Sequence, residues 1–134
     1  MDLTQFPTFP LVHRPTPLEH LVRLSAALEG PRIYIKRDDC TGLAFGGNKT
    51  RKLEFLIGDA LEKGAATVVS EGGMQSNHVR QTAAAAVKAG LKCELVLDWR
   101  VPWTDPAYGV SGNILLDRLL GAKVHLCRQQ ETRG

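Results

Sequence analysis

Apolar residues recur along the chain in a helix-like and a strand-like rhythm that alternate. Between Lys49 and Lys63 they fall at Leu53, Leu56, Ile57, Ala60 and Leu61, the i, i+3, i+4, i+7, i+8 spacing of an amphipathic helix, and Gly64 closes it. The β-prone run Thr67-Val68-Val69-Ser70 follows. A helix is predicted over residues 77–89, with Val79, Ala83, Ala86 and Val87 on one face and Gly90 behind it. Leu95-Val96-Leu97 predicts a buried strand. Residues 112–120 predict a short helix carrying Leu115, Leu116, Leu119 and Leu120, stopped by Gly121, before a last strand at 123–127. Upstream, Ile33-Tyr34-Ile35-Lys36 reads as a strand. Thr16-Pro17-Leu18-Glu19 opens a stretch (Leu18, Leu21, Val22, Leu24, Leu28) that predicts one helix ending at Gly30. Strand, helix and glycine thus recur three times. That alternation argues for βαβ units, hence an α/β fold with an open, mainly parallel sheet and helices on both faces.

Two loops between a strand and the following helix are glycine-rich, Asp38 to Asn48 and Glu71 to Ser76. Ligands of open α/β sheets bind outside the carboxyl ends of the strands, so these loops are the first candidates for a site. A third loop, Asp98 to Ser111, carries Trp99, Trp103 and Tyr108 and reads either as a lid or contact surface or as a plain surface excursion.

Composition narrows the class. The chain has 134 residues, 43% hydrophobic and 23% charged, which fits one domain with a core and excludes disorder and collagen-like repeats. Its net charge of +3 comes from interleaved acids and bases, without the basic stripe that nucleic-acid binding requires. No apolar run reaches the ~20 residues of a membrane span, and residues 1–10 lack the pattern of a secretory signal, so a soluble cytoplasmic protein is expected. Cys40, Cys93 and Cys127 are too scattered for a zinc set or disulfide framework and are expected to be buried thiols.

The chemistry concentrates in the two glycine-rich loops. In Gly46-Gly47-Asn48-Lys49-Thr50 a Walker A reading fails on register, because Asn48 takes the lysine position and displaces Lys49 by one. The glycines instead allow a sharp turn and close approach of a flat ligand. Lys49 then opens a helix beside Arg51 and Lys52, where dipole and charge disfavour its protonated form and suit a Schiff-base nucleophile. The alternative is a solvated lysine at a helix start. In Gly72-Gly73-Met74-Gln75-Ser76-Asn77-His78, Ser76 and Asn77 either cap the next helix or point at a cofactor ring. His78 is read as a structural histidine ahead of a catalyst. Asp38 and Asp39, adjacent at a strand end, are expected to diverge.

Three stretches carry a family likeness. Residues 35–42 (Ile35-Lys36-Arg37-Asp38-Asp39-Cys40-Thr41-Gly42) with 46–56, then Gln75-Ser76-Asn77-His78-Val79-Arg80-Gln81-Thr82-Ala83, then Gly112-Asn113-Ile114-Leu115-Leu116 resemble the pyridoxal-phosphate-dependent D-cysteine desulfhydrase and 1-aminocyclopropane-1-carboxylate deaminase family. The likeness runs from about Phe6 to Cys127. It implies the tryptophan-synthase-β-like fold, fold type II among pyridoxal-phosphate enzymes, with residues 1–45 in the large domain and 46–134 in a small domain carrying the cofactor lysine. By the same resemblance Lys49 holds pyridoxal 5'-phosphate and serves as base for the α-proton. Asn77 bonds the pyridine ring hydroxyl, and Ser76 lies beside the substrate carboxylate. The implied activity is D-cysteine desulfhydrase, converting D-cysteine to pyruvate, sulfide and ammonia. 1-Aminocyclopropane-1-carboxylate deaminase and L-cysteate sulfo-lyase are the alternatives. The implied partners are a small amino-acid substrate and, in the full-length family, a second copy as a homodimer; no metal, membrane or nucleic acid is implied. Family members are much longer, with the phosphate-cradling loop, the pyridine-nitrogen partner and the catalytic tyrosines in a later region. Residues 129–134 do not resemble the family's continuation. The chain is therefore expected to represent a truncated N-terminal part, weakly active or a non-catalytic remnant.

Overall fold

The computed structural model describes residues 2–127. Residues 129–134, expected to depart from the family pattern, lie outside them.

From residue 67 onward the predicted rhythm is realised. Strands β3 (Thr67–Gly73), β4 (Lys92–Asp98) and β5 (Lys123–Cys127) form a parallel sheet in the order β3-β4-β5. Helices α3 (Asn77–Lys88) and α4 (Gly112–Leu119) make the crossovers. Register pairs Ser70 with Leu95 and Leu95 with Val124, so the side chains of one face align across all three strands. Along β4, Cys93, Leu95 and Leu97 are buried and pack against Val79, Ala83 and Ala86 of α3 and Ile114 of α4. Each large aliphatic side chain buried there stabilises the fold by about 1.5–3 kcal/mol. The small alanines of α3 let that helix approach the sheet closely. Helix α2 (Lys49–Glu62) joins the same side: Leu53 and Ile57 pack with Leu11 and Ala85, and Val68 of β3 lies against them.

Helices on both faces were expected. Among the described residues they gather on one, because both crossovers step the same way along the sheet. The opposite face carries Val69, which is 69% exposed, and an ion-pair group of Glu94 with Lys123 and His125.

The amino-terminal third departs from the prediction. In place of one helix over 18–30, Leu18–His20 forms strand β1 and only Val22–Ala27 is helical (α1). The strand predicted at 33–36 becomes β2 (Tyr34–Lys36), which pairs antiparallel with β1 outside the parallel sheet. Backbone pairing, continued by Arg37 N donating to Pro17 O, captures the first half of the apolar stretch. Leu18, Val22, Leu24 and Leu28 remain exposed, so no buried stripe rewards a longer helix. Three free thiols are present, but only Cys93 is buried; Cys127 at the sheet end is exposed and Cys40 half-buried, which corrects the expectation of buried thiols.

No helix among the described residues is long and apolar enough to cross a membrane.

Candidate functional site

Both glycine-rich loops converge at the amino-terminal ends of α2 and α3. The second is shorter than predicted, because β3 continues through Gly73 and leaves only Met74-Gln75-Ser76 before α3. Met74 N donates to Asp98 O, which fixes this turn at the carboxyl end of β4. The sequence therefore places Ser76 and Asn77 where open α/β sheets bind ligands.

Gly46 and Gly47 have φ of 71° and 135°, values that L side chains rarely adopt. A Cβ on Gly46 would lie 1.9 Å from Asp39 O, and one on Gly47 would lie 2.5 Å from Gln81 Nε2. These glycines let the chain turn tightly enough to start α2 at Lys49. Lys49 is half-buried, and among the described residues it makes no ion pair with a carboxylate.

Asn77, the first residue of α3, is exposed and lies across from Asn48. Its Nδ2 is 3.5 Å from Asn48 Oδ1, the outer limit of a hydrogen bond. A firmer bridge runs underneath. Gln81 Oε1 accepts from Thr50 N at 2.9 Å and from Thr50 Oγ1 at 2.7 Å, while Gln81 Nε2 donates to Asn77 O at 2.9 Å. One buried side chain thus joins the residue after Lys49 to Asn77. Ser76 caps α3, its Oγ accepting from His78 N at 3.2 Å. The capping reading is thus realised, and the Ser76 hydroxyl proton remains free to donate.

His78 is held as a structural histidine. Its Nε2 lies 3.2 Å from Ser70 Oγ and its Nδ1 3.5 Å from Thr82 Oγ1. Burial, then the charges of Lys52 and Lys49, hold its pKa below the ordinary 6.5. Asp38 and Asp39 diverge as expected. Arg51 bonds Asp38 and lowers its pKa, and Arg37 does the same for Asp39.

The residues fit the group that the resemblance implies. An amine at Lys49, a loosely engaged amide at Asn77 and a hydroxyl at Ser76 suit an aldehyde-bearing ring with a hydroxyl substituent. The half-turns of backbone N–H at the starts of α2 and α3 favour anionic atoms. A groove of about 810 Å³ opens elsewhere, between residues 3–14 and α2 at Glu54 and Phe55, away from Lys49 and Asn77.

Four contributors escaped the sequence reading. Thr41 ties the lysine loop internally, its Oγ1 accepting from Gly47 N at 2.8 Å, and Gln81 joins the start of α2 to α3. Arg80 bonds Gly46 O at 2.7 Å. Gln75 bonds Tyr108 O, Ser111 O and Asn113 N, which moors the third loop beside the site. Trp99 and Tyr108 stack edge-to-face at 5.2 Å within that loop, and both pack on the core. The one available signal was the sequence step from Asn77 to Gln81, which puts a second polar group on the same face of α3.

Residues 10–134 match the family described as pyridoxal-phosphate dependent enzymes. The chain is 56% identical over 128 residues to the 1-aminocyclopropane-1-carboxylate deaminases of Burkholderia ambifaria (strain MC40-6) and Burkholderia vietnamiensis (strain G4 / LMG 22486), covering 94% of this chain and 38% of each relative. A solved structure described as an ACC deaminase homologue superposes with a TM-score of 0.83 at 41% identity, over 97% of this chain and 38% of that one. The chain thus spans 38% of the length of the relatives it matches. With the match running through both glycine-rich loops and the parallel sheet that presents them, the chain belongs to the pyridoxal-phosphate dependent enzyme family, with the α/β architecture of fold type II.

Proposed function

We propose that the protein is a pyridoxal-phosphate-dependent lyase acting on a small amino acid, and that the amino acid is 1-aminocyclopropane-1-carboxylate. The observation that carries this reading is the joining of the two helix starts that carry Lys49 and Asn77, through Asn77 Nδ2 to Asn48 Oδ1 and through Gln81 to Thr50 and Asn77 O, in a chain 56% identical to proteins of that activity's name. It reverses the order implied by the sequence motifs, which put D-cysteine first.

When bound, pyridoxal phosphate supplies an electron sink that stabilises negative charge on substrate carbon. Lys49 would link to its aldehyde through Nζ. Asn77 would hold the ring hydroxyl through its side-chain amide. Ser76 Oγ orients the substrate carboxylate, helped by the positive end of α3. Lys49 Nζ would also be the group placed to take up a substrate proton. The carbon bearing the amine in 1-aminocyclopropane-1-carboxylate has no hydrogen, so with that substrate the proton comes from a ring methylene. D-Cysteine instead offers its α-hydrogen.

D-Cysteine desulfhydrase is kept as the second reading because the Ser-Asn-His-Val-Arg-Gln run at 76–81 favours it. L-Cysteate sulfo-lyase or a non-catalytic remnant are further outcomes. The same proposal includes the division into residues 1–45 of a large domain and 46–134 of a small one, a cytoplasmic location and a homodimer.

The test incubates the chain with pyridoxal phosphate, reduces with borohydride to make any lysine link permanent, and maps the label by mass spectrometry. Selective labelling of Lys49, abolished in Lys49→Ala, is expected. Ammonia release from 1-aminocyclopropane-1-carboxylate above sulfide release from D-cysteine then supports the first substrate, and the reverse supports the second. Indiscriminate labelling overturns the cofactor role of Lys49.

A further inference from the structure

The Gly46–Gly47 peptide, two residues ahead of Lys49, is gripped at both ends. Its carbonyl accepts from Arg80 Nη2 at 2.7 Å. Its N–H donates to Asp38 O at 2.9 Å and to Thr41 Oγ1 at 2.8 Å. The plane of this peptide therefore sets where α2 begins and where Lys49 is presented.

Arg80 reaches the peptide from α3. Arg80 Nε is buried without a hydrogen-bond partner. So are both carboxylate oxygens of Asp117, a residue of α4 that is 0% exposed. Burial disfavours the charged form of each group, and the charge of each favours the other. The two groups are carried by α3 and α4, which pack against each other, and among the described residues they form neither a hydrogen bond nor an ion pair with one another. A buried carboxylate with no direct partner gives less stability than a well-packed apolar side chain would. Its use must lie in what it holds in place.

We propose that Arg80 is a positioning residue for the Lys49 loop, and that Asp117 is the counter-charge that keeps the Arg80 guanidinium inside the protein and on Gly46. The presentation of the lysine then depends on a carboxylate in α4 that touches neither loop. Without that charge, the guanidinium gains more from turning toward water than from staying on one carbonyl. The functional meaning of this inference rests on Lys49 being the cofactor lysine; its first test does not.

Hydrogen exchange, read by mass spectrometry on the full chain, compares the parent with Arg80→Gln, Arg80→Lys and Asp117→Asn. Loss of one hydrogen bond to a charged group corresponds to about tenfold faster exchange or more. That acceleration is expected over residues 43–49 in Arg80→Gln and Asp117→Asn, with residues 53–62 exchanging no faster than in the parent. Arg80→Lys keeps the charge and one donor and is expected to recover part of the protection. Unchanged exchange over 43–49, or acceleration spread evenly through α2, β4 and α4, overturns the inference. If Arg80→Gln unfolds, Asp117→Asn decides, since that variant removes no contact from the loop itself. The second readout is the share of reduced pyridoxal-phosphate label found on Lys49, expected to fall in both variants. A parent chain that does not label at Lys49 sinks the cofactor reading, while the exchange result still decides the positioning role.

Discussion

Gln81 Oε1 accepts hydrogen bonds from both the backbone N–H and the hydroxyl of Thr50, and both residues are 0% exposed. The amide that answers Thr50 is carried by α3, so α2 and α3 are fixed to each other one residue away from Lys49. Replacing Gln81 by leucine keeps much of the volume and leaves two buried donors with only long contacts, Thr50 N to Gly47 O and Thr50 Oγ1 to Thr41 Oγ1, each at 3.4 Å. Each unsatisfied group costs about 1–3 kcal/mol. Urea unfolding of Gln81→Leu is expected to show a loss of about 3 kcal/mol. A loss within 0.5 kcal/mol of zero, the usual scatter of surface substitutions, would mean that water replaces the amide.

That bridge also shows how far the sequence could be read. Helices α2, α3 and α4 and strands β3 to β5 were legible because apolar spacing and closing glycines agree with the packing that buries them. Lys49, Ser76 and Asn77 were legible as candidates because they follow glycines at helix starts. Gln81 and Arg80 were not, since their partners Thr50 and Gly46 are 31 and 34 residues away. A polar side chain in a helix reads as solvent-facing until the neighbouring element is in place. The helix predicted over 18–30 failed for the complementary reason: its spacing was right, but strand pairing with 34–36 was the stronger local option and no buried surface opposed it.

Glu54 anchors the amino-terminal segment to α2. Its Oε1 accepts from Leu11 N and Val12 N, each at 3.0 Å, and its Oε2 pairs with Arg14. Burial pushes the Glu54 pKa up, but the two N–H groups and the guanidinium outweigh it and hold the carboxyl below the ordinary 4.5. A depressed carboxyl contributes stability above its unfolded value and loses it as pH falls through the lower folded value. Glu54→Gln is expected to cost about 2 kcal/mol at neutral pH. The difference from the parent should shrink as pH drops below about 4.5, which a urea series across pH will show. A difference that is constant with pH would assign the loss to packing instead of charge.

Gln75 holds the third loop. Its amide donates to Tyr108 O at 2.8 Å and Ser111 O at 2.9 Å and accepts from Asn113 N at 2.8 Å, while Asn113 Nδ2 returns to Gln75 O at 2.7 Å. Gln75→Ala removes three side-chain bonds, one of them exposed, and is expected to cost about 2–3 kcal/mol. Loosening should be local. Fluorescence of Trp99, now stacked on Tyr108, is expected to shift to the red and quench more readily before global unfolding begins. An unchanged Trp99 signal would mean that the loop is held by its apolar contacts alone.

Asp117 makes the sharpest pH prediction, because its cost and its proposed use point in opposite directions. Burial lifts its carboxyl pKa to about 6 from the ordinary 3.8, against the pull of Arg80. A carboxyl with a raised folded pKa takes up a proton more readily folded than unfolded. Its favourable contribution is complete below about pH 4 and is lost as pH rises through about 6. Above that window the ionised side chain burdens the folded state by about 3 kcal/mol, the difference between about 6 and 3.8 converted to free energy. Asp117→Asn imitates the protonated form. It is expected to be more stable than the parent by up to about 3 kcal/mol near pH 8 and no more stable near pH 4. If Asp117 serves the lysine loop through Arg80, the same variant must also exchange faster over residues 43–49. A chain that is globally tighter and locally looser cannot be explained by general loss of stability. It is the signature of a residue kept for its effect on the site at a cost to the fold.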